Sequence, residues 1–335
     1  MLETGSGVKQ SEKDAVRWLK KAADQGNASA QYSLGSMFQK GRGATQSDVK
    51  AAQWFRTAAD QGHATAQCTL GLKYSHGSGV TQSDTEAMKW LRKAADQGEV
   101  DALCSLGMHY MSGRGVAPNV AEGTRWYRKA ADHGNSGAQY NLALLHEAGC
   151  GVAQSDKEAA RWYKMAADQG HGMAQSNLGF KYAQGSGVAK SDVEMVKWWQ
   201  KAADQGIAEA QCNLGLLNLS GRGVPLNYAQ AAQWFKKAAD QGHALAQFNL
   251  GLSYVEGSGV EENDAKAAQW FKKAAEQGHA EAQYHLGLLY EDGSGVTQSD
   301  KEAIRWIKMA ADQGCEDALD YLDHEQLVER CPRRS

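Results

Sequence analysis

Residues 263–290 read NDAKAAQWFKKAAEQGHAEAQYHLGLLY, and close variants of this stretch recur along the chain. Each copy carries one tryptophan at a constant spacing of 36 residues, at Trp18, Trp54, Trp90, Trp126, Trp162, Trp198, Trp234, Trp270 and Trp306. Glycines keep the same step, as at Gly62, Gly170, Gly242 and Gly278. A fixed period of this length is typical of repeat proteins, in which each unit buries its apolar face against its neighbours. These tryptophans and glycines are therefore predicted to be structural.

The first half of each copy predicts an amphipathic helix. Ser11 and its counterparts are good N-cap residues, and an acid or amide three positions later, such as Asp14, predicts a capping box in most copies. At about 100° per residue, Ala15 falls on one side of this helix and Arg17 on the other. The helix is expected to end at Gly26, because glycine suits the left-handed backbone that stops a helix.

The second half of each copy predicts another helix, which starts near residue 28 and ends by residue 41. One side of it recurs in nearly every copy as Ala30, Gln31, Leu34 and Gly35. A glycine within a helix costs about 1 kcal/mol against alanine, so a neighbouring side chain must need the space, and the tryptophan is the expected neighbour. A Gly-x-Gly-Val turn leads into the next copy. Each repeat is thus predicted to be an antiparallel helical hairpin in an all-α solenoid.

Composition argues against nucleic-acid and membrane partners. The net charge is −3 and the isoelectric point is about 6.4, so no global attraction draws the chain to a polyanion. No apolar run reaches the roughly 18 residues that a membrane-spanning helix needs. The sequence therefore predicts neither nucleic-acid binding nor direct membrane insertion.

The six cysteines are interpreted mostly as free thiols. Cys68, Cys104 and Cys212 share one repeat position, and equivalent atoms of successive repeats are expected about 10 Å apart. A disulfide needs Cα atoms roughly 4.4–6.8 Å apart, so Cys68 and Cys104 are poor partners. Free thiols and an N-terminus without an apolar signal segment predict a cytoplasmic protein. A periplasmic or secreted location is the alternative if a leader has been trimmed.

A family resemblance is carried by residues 239–260, which read ADQGHALAQFNLGLSYVEGSGV. This pattern resembles the Sel1-like repeat (SLR) family, a branch of the tetratricopeptide-like α/α solenoids, and the resemblance covers about residues 5–322. It implies a right-handed superhelix with a concave face for partners, in proteins that act as adaptors for protein complexes. A cysteine-rich subgroup with two half-cystines in each repeat is linked to β-lactam binding. This chain lacks such pairs, so that activity is not carried over.

In the phase of that family, the chain is one solenoid domain over residues 1–335. An orphan half-repeat at 5–26 precedes eight full repeats at 27–314, and a capping helix and tail follow at 315–335. Asp320, Asp323 and Glu325 place charges where interior repeats carry apolar, small or weakly polar residues, as a C-terminal cap requires. The N-terminal end has no comparable cap, which leaves truncation or self-association there as alternatives.

No residue pattern predicts a metal site, a cofactor or catalysis. Four histidines share the position after the glycine stop: His63, His171, His243 and His279. Successive copies are expected about 10 Å apart, whereas zinc holds its nitrogens within about 2.1 Å, so these are interpreted as turn residues that satisfy the helix end. Ser47 and Lys50 match an S-x-x-K pattern, but Ser47 is an N-cap. The protein is predicted not to be an enzyme.

Basic residues line the exposed side of the first helices, as at Arg17, Lys20 and Lys21. A nucleic-acid track is one interpretation of this ribbon. Asp24 and its counterparts lie one turn away on the same face, and no aromatic residue is interleaved there. A solvated face is therefore favoured.

The candidate site is the side of the second helix that lies opposite its recurrent residues. Four successive copies carry an asparagine there, which can hold a peptide backbone without choosing its sequence: Asn141, Asn177, Asn213 and Asn249. Neighbouring positions differ between copies and are expected to choose side chains: Tyr32, Tyr140, Glu209, Leu245, Phe248, Glu281, Tyr284 and His285. Packing between repeats is the alternative role for this side.

The sequence thus predicts a non-enzymatic scaffold or adaptor whose concave groove binds a peptide or protein partner. A small-molecule enzyme of the β-lactamase type is one alternative. A self-assembling structural rod, suggested by the uncapped N-terminal helix and the near-identical repeats, is another.

Overall fold

The computed structural model describes residues 11–330, with side chains as far as residue 323. These residues form eighteen α-helices and contain no strand. The odd-numbered helices, which carry the tryptophans, are α1 (Glu12–Asp24), α3 (Asp48–Asp60), α5 (Asp84–Asp96), α7 (Val120–Asp132), α9 (Asp156–Asp168), α11 (Asp192–Asp204), α13 (Tyr228–Asp240), α15 (Asp264–Glu276) and α17 (Asp300–Asp312). The even-numbered helices are α2 (Ala28–Lys40), α4 (Ala64–His76), α6 (Val100–Ser112), α8 (Ser136–Ala148), α10 (Gly172–Gln184), α12 (Ala208–Ser220), α14 (Ala244–Glu256), α16 (Ala280–Asp292) and α18 (Glu316–Arg330).

The helices group into two compact units, one ending at His171 and the other beginning at Gly172. Consecutive helices pack against each other from α1 to α9 within the first unit, and from α10 to α18 within the second. The predicted all-α solenoid of paired helices is confirmed. The handedness of the superhelix, its concave face and the single-domain organisation stay predictions. Residues 5–10 of the predicted N-terminal half-repeat and residues 331–335 of the predicted C-terminal tail lie outside the described residues. So does the side chain of Glu325 in the predicted cap.

Every odd-numbered helix begins with the predicted side-chain cap. In α3, for example, the hydroxyl oxygen of Ser47 accepts a hydrogen bond from the N–H of Lys50 at 3.3 Å. Serine or asparagine does the same in the other eight helices. These bonds satisfy one N–H that the helix itself leaves without a partner.

The predicted capping box does not form. The N–H of Ser83 donates to the carbonyl oxygen of Tyr74 at 2.9 Å, so it does not bond to the carboxylate of Glu86. The same bond to the preceding helix recurs at each cap from Ser47 to Ser299. Glu86 instead pairs with Lys89, three residues further along the helix, at 3.4 Å. The sequence pattern could not show this, because the short turn returns the chain against the helix before it.

The two glycines of the Gly-x-Gly turn have different tasks. Gly41 ends α2 with a φ of 67°, the left-handed conformation predicted for such a position. Gly43 also has a φ of 67°, and it lies so close to the backbone carbonyl of Glu12 that a Cβ atom would overlap it. The second glycine therefore lets the turn approach the start of the preceding odd-numbered helix.

The neighbour of the mid-helix glycine is not the repeat tryptophan, so that prediction is wrong. A Cβ atom on Gly35 would lie 2.8 Å from the ring of Phe55, which follows Trp54 in the sequence. Gly71 faces Leu91 in the same way. The residue after each tryptophan thus points into the space above the glycine of the preceding helix.

The tryptophans are mostly buried against the preceding helix pair, as their structural role requires. Trp306 packs with Phe271 of α15 and Leu286 of α16, and only 5% of its surface is exposed. The other rings from Trp90 onward are also buried, and Trp54 is partly buried. Trp18 is 53% exposed, because among the described residues no helix pair precedes α1.

The described cysteines are free, as predicted. Cys68 and Cys212 are buried, Cys104 and Cys315 are partly buried, and Cys150 is exposed in its junction. Burial raises the pKa of Cys68 and of Cys212 to about 12. These two thiols are therefore protonated packing residues at neutral pH.

Candidate functional site

All the predicted partner-binding residues lie on even-numbered helices, and all are at least partly exposed. Glu209, Leu245 and Glu281 are exposed at the first turn of α12, α14 and α16. Those that are half-buried are Tyr32, Tyr140, Asn141, Asn177, Asn213, Phe248, Asn249, Tyr284 and His285. Within each unit, these residues, together with Leu252 and Glu256 in the second unit, are called the variable face of that unit below. Whether this face binds a partner stays a prediction.

The asparagines of the variable face do not act alike. The side-chain N–H of Asn249 donates to the carbonyl oxygen of Leu245 in its own helix at 2.7 Å. The Nδ2 atom of Asn213 is buried and has no hydrogen-bond partner among the described residues. A buried donor without an acceptor costs about 1–3 kcal/mol, so Asn213 offers an unused hydrogen bond.

A cavity of about 500 Å³ lies beside Asn213. Leu216, Leu219 and Ser220 of α12 line it, together with Trp199 of α11 and with Arg222, which forms an ion pair with Asp192 at 2.6 Å. The indole N–H of Trp199 already donates to the carbonyl oxygen of Ser176 at 3.1 Å. The cavity therefore combines apolar walls with one unused amide donor, which suits an apolar side chain beside a backbone carbonyl.

The histidines after the glycine stop begin the next helix. The Nδ1 atom of His279 accepts a hydrogen bond from the N–H of Ala282 at 3.3 Å, and His63 and His243 make the equivalent bond. The prediction that these turn residues satisfy the end of the preceding helix is confirmed for their backbone, while their side chains cap the next helix. Only their backbone N–H meets that helix, as from His63 to the oxygen of Ala58 at 3.1 Å.

Burial lowers the pKa of His243 and of His279. Nδ1 must be unprotonated here, because it accepts a hydrogen bond from the backbone N–H. No group of histidine, cysteine or acidic residues in the described part of the chain could hold a metal ion. The capping bond accounts for these histidines without a ligand.

Aromatic rings of successive even-numbered helices meet on the variable face of the second unit. The ring centre of Phe248 lies 4.8 Å from that of His279 and 5.6 Å from that of His285. Tyr284 lies 5.7 Å from His285 and 6.5 Å from Tyr321 of α18. These contacts make the aromatic rings of α14, α16 and α18 one connected surface.

Acidic residues surround this aromatic surface. Burial lowers the pKa of His285, while the carboxylates of Asp317, Glu256 and Glu281 act in the opposite direction. The carboxylate of Glu281 lies 3.3 Å from Nδ1 of His279, and Glu291 accepts a hydrogen bond from the hydroxyl of Tyr321 at 2.7 Å. Sequence reasoning did not select Glu256 or Asp317. Glu256 lies one helical turn after Leu252, and Asp317 occupies the same repeat position as Glu281. The sequence does not show that both carboxylates influence His285, because that depends on how the helices pack.

The basic ribbon of the odd-numbered helices is internally paired. Lys236 and Asp240 form an ion pair at 2.6 Å, and Lys20 and Asp24 form one at 2.9 Å. The prediction that no aromatic residue accompanies these cations is wrong, because the Nζ atom of Lys93 lies 4.4 Å from the ring centre of Trp90. The indoles are largely buried beneath the lysines. The ribbon therefore covers the outer side of the tryptophan packing.

A comparison with protein families matches the Sel1 repeat at residues 1–27, 28–63, 64–99, 100–135, 136–171, 172–207, 208–243, 244–279 and 280–315. Among solved structures, the chain is similar to c5321, described as a protective antigen present in uropathogenic Escherichia coli strains displaying an SLR fold. The two are 35% identical with a TM-score of 0.85, over 94% of this chain and 67% of that one. A Sel1 repeat protein from Oxalobacter formigenes is 34% identical with a TM-score of 0.66, over 92% and 90% of the two chains. No curated protein matches the chain.

None of the helices described for residues 12–330 is long and apolar enough to cross a membrane.

Proposed function

The chain belongs to the Sel1 repeat family, and we propose that it is a non-enzymatic adaptor that binds an extended peptide or protein segment along its variable face. The Sel1 repeat is a scaffold fold that commonly mediates protein–protein interaction. A bound segment would cross successive even-numbered helices of one unit, each of which presents different side chains to it.

The observation that carries the proposal is the contrast between the two sides of the even-numbered helices. On the packed side the same apolar residue is buried in each copy from α2 to α16: Leu34, Leu70, Leu106, Leu142, Leu178, Leu214, Leu250 and Leu286. On the other side Met173, Glu209, Leu245 and Glu281 occupy one repeat position of the second unit and are all exposed. Packing explains the constant side, whereas exposed residues that differ between copies suit recognition of a partner.

Asn213 supplies the polar part of this proposal. A peptide carbonyl placed at the cavity beside α12 would accept the hydrogen bond that Nδ2 lacks. Apolar walls from Leu216 and Leu219 would receive the neighbouring side chain. The arrangement favours an extended peptide, because such a peptide presents a backbone carbonyl next to a side chain that can be apolar.

The test is selection of a random-peptide display library on the immobilised full chain, followed by binding measurements with the selected peptides. We expect Asn213→Ala and Leu245→Ser each to weaken at least one such peptide by about tenfold, as for contacts at the centre of an interface. Gln233→Ala and Lys272→Ala, on exposed sides of α13 and α15, are the matched controls and should leave affinity unchanged. Failure to select any peptide, or peptides that respond only to the controls, would overturn the proposal.

The non-enzymatic part has its own test. The purified chain should not hydrolyse nitrocefin above the rate of buffer alone. Turnover that survives repeated purification would contradict this part and favour the β-lactamase alternative.

We also propose a reducing, cytoplasmic location. The free cysteines of the described residues support it, since disulfides form in oxidising compartments and are rare in the cytosol. Fractionation of cells that express the full-length natural protein would test the location, and recovery outside the cytoplasm would overturn it.

A further inference from the structure

Lysine and arginine are unevenly distributed between the odd-numbered and the even-numbered helices of α11–α17. Helices α12, α14 and α16 contain no lysine and no arginine, but they carry five acidic residues: Glu209, Glu256, Glu281, Glu291 and Asp292. By contrast, each of α11, α13, α15 and α17 carries at least two lysine or arginine residues. The variable face of this unit is therefore anionic, although the chain as a whole has a net charge of only −3.

Three exposed carboxylates lie on three different even-numbered helices of this unit. Glu256 ends α14, Glu281 lies in the first turn of α16, and Asp317 lies in the first turn of α18. All three side chains are exposed, and each of them opposes the lowering of the pKa of the half-buried His285 by burial. No lysine or arginine pairs with any of them in the part of the chain described with side chains. Their charges are thus available to a partner.

The surface between these carboxylates is aromatic and apolar. Phe248 and Tyr284 are partly exposed, and Leu245 is 38% exposed. An aromatic face attracts a cation by about 0.5–1 kcal/mol at exposed sites, and the aliphatic stem of lysine or arginine packs well on such a surface. A neutral peptide would leave the carboxylates unpaired, and an acidic one would be repelled.

We propose that the variable face of α12–α18 takes a basic peptide segment, with lysine or arginine side chains lying on Phe248 and Tyr284 and pairing with Glu256, Glu281 and Asp317. This inference rests on the proposed function and specifies the chemistry of its partner. The apolar residues of the segment would fill the cavity beside Asn213, while its cations would meet the acidic end of the face.

The experiment uses the full chain and two fluorescein-labelled probes, one of four Lys-Leu-Ser repeats and one of four Glu-Leu-Ser repeats. Fluorescence anisotropy should show binding of the lysine probe and not of the glutamate probe. We expect the triple variant E256Q/E281Q/D317N to weaken the lysine probe by about five- to tenfold, from three exposed ion pairs. The control D240N/E276Q/D312N makes the same charge change at exposed positions of α13, α15 and α17 and should change affinity less than about twofold.

Each outcome decides the inference. Equal effects of the two triple variants would show attraction to overall charge alone and would overturn it. So would absence of binding by the lysine probe, or equal binding by the glutamate probe. The replaced side chains are exposed and keep their shape, and equal thermal melting of the variants checks that they fold. If library-selected peptides still depend on Asn213 and Leu245 while the lysine probe fails, the basic-segment inference fails and the adaptor function stands.

Discussion

The Nε2 atom of Gln97 donates a hydrogen bond to Oε1 of Gln67, 2.8 Å away. Gln67 is buried in α4, and its own Nε2 donates to the carbonyl oxygen of Ala59 at 3.1 Å. The two amides thus join the end of α3, the first turn of α4 and the end of α5. Glutamine pairs at the same repeat positions are hydrogen-bonded in six other places: Gln31–Gln61, Gln139–Gln169, Gln175–Gln205, Gln211–Gln241, Gln247–Gln277 and Gln283–Gln313.

The eighth pair is Leu103 and His133, in which both glutamines are replaced together. Leu103 is buried and cannot form the bond, and the Nδ1 atom of His133 bonds to the carbonyl oxygen of Lys129 in its own helix. If only position 133 lacked glutamine, a glutamine at position 103 would be a buried amide without its hydrogen-bond partner. Leucine at position 103 avoids this. A lone unpaired amide is more costly than an apolar pair, which explains why the two positions change together.

We therefore predict that Gln67→Leu alone destabilises the protein, because it removes the hydrogen bond from Gln97 to Gln67 and the buried hydrogen bond from Gln67 to the carbonyl oxygen of Ala59. The cost should be about 1–3 kcal/mol, seen as a lower urea midpoint. The double variant Q67L/Q97H, which copies the natural Leu103–His133 pair, should recover part of that loss. Additive losses in the two single variants and the double variant would contradict the coupling.

The mid-helix glycines give a second prediction. Gly107→Ala should destabilise, because the new Cβ atom would lie 2.6 Å from the ring of Tyr127. Gly137→Ala is the control, since the nearest atom outside its own backbone is Oδ1 of Asn135 at 3.3 Å. In that helix the gain in helix propensity, up to about 1 kcal/mol, should dominate. Thermal melting distinguishes the two, and equal shifts of the same sign would refute the packing explanation.

The architecture could be predicted from sequence because the period, the caps and the turn glycines are local signals that repeat. The partner of Gly35 could not be. Trp54 and Phe55 are adjacent and both large, so the pattern does not say which one faces the glycine. The acidic surface around His285 was missed for a related reason. Glu256, Glu281 and Asp317 are up to 61 residues apart in sequence, and only the packing of α14, α16 and α18 relates them to one ring.

The cysteines give a third prediction. Cys150 is exposed and should react rapidly with a disulfide reagent in the native protein, whereas Cys68 and Cys212 should react only after unfolding. Burial raises the pKa of both buried thiols to about 12, so almost no thiolate is present at neutral pH. Cys150→Ser should remove one rapidly reacting thiol. Rapid labelling of Cys68 or Cys212 in the native state, located by mass spectrometry, would contradict their burial.

The capping histidines give a prediction of pH dependence. The pKa values of His243 and His279 are lowered in the folded protein, so the unfolded state binds their protons more readily. Their contribution to stability is present above the unfolded pKa of about 6.5 and is lost as the pH falls through the folded values. The urea midpoint of the natural protein should therefore decrease as the pH is lowered from about 7.5 to about 5.

Asparagine caps the equivalent helices at Asn27 and Asn135, so H243N/H279N should retain the caps and lose less stability on acidification. His76→Asn, at an exposed histidine, is the control and should leave the acid loss as it is in the natural protein. An equal acid loss in the natural protein and in H243N/H279N would show that the capping bonds are not the titrating element.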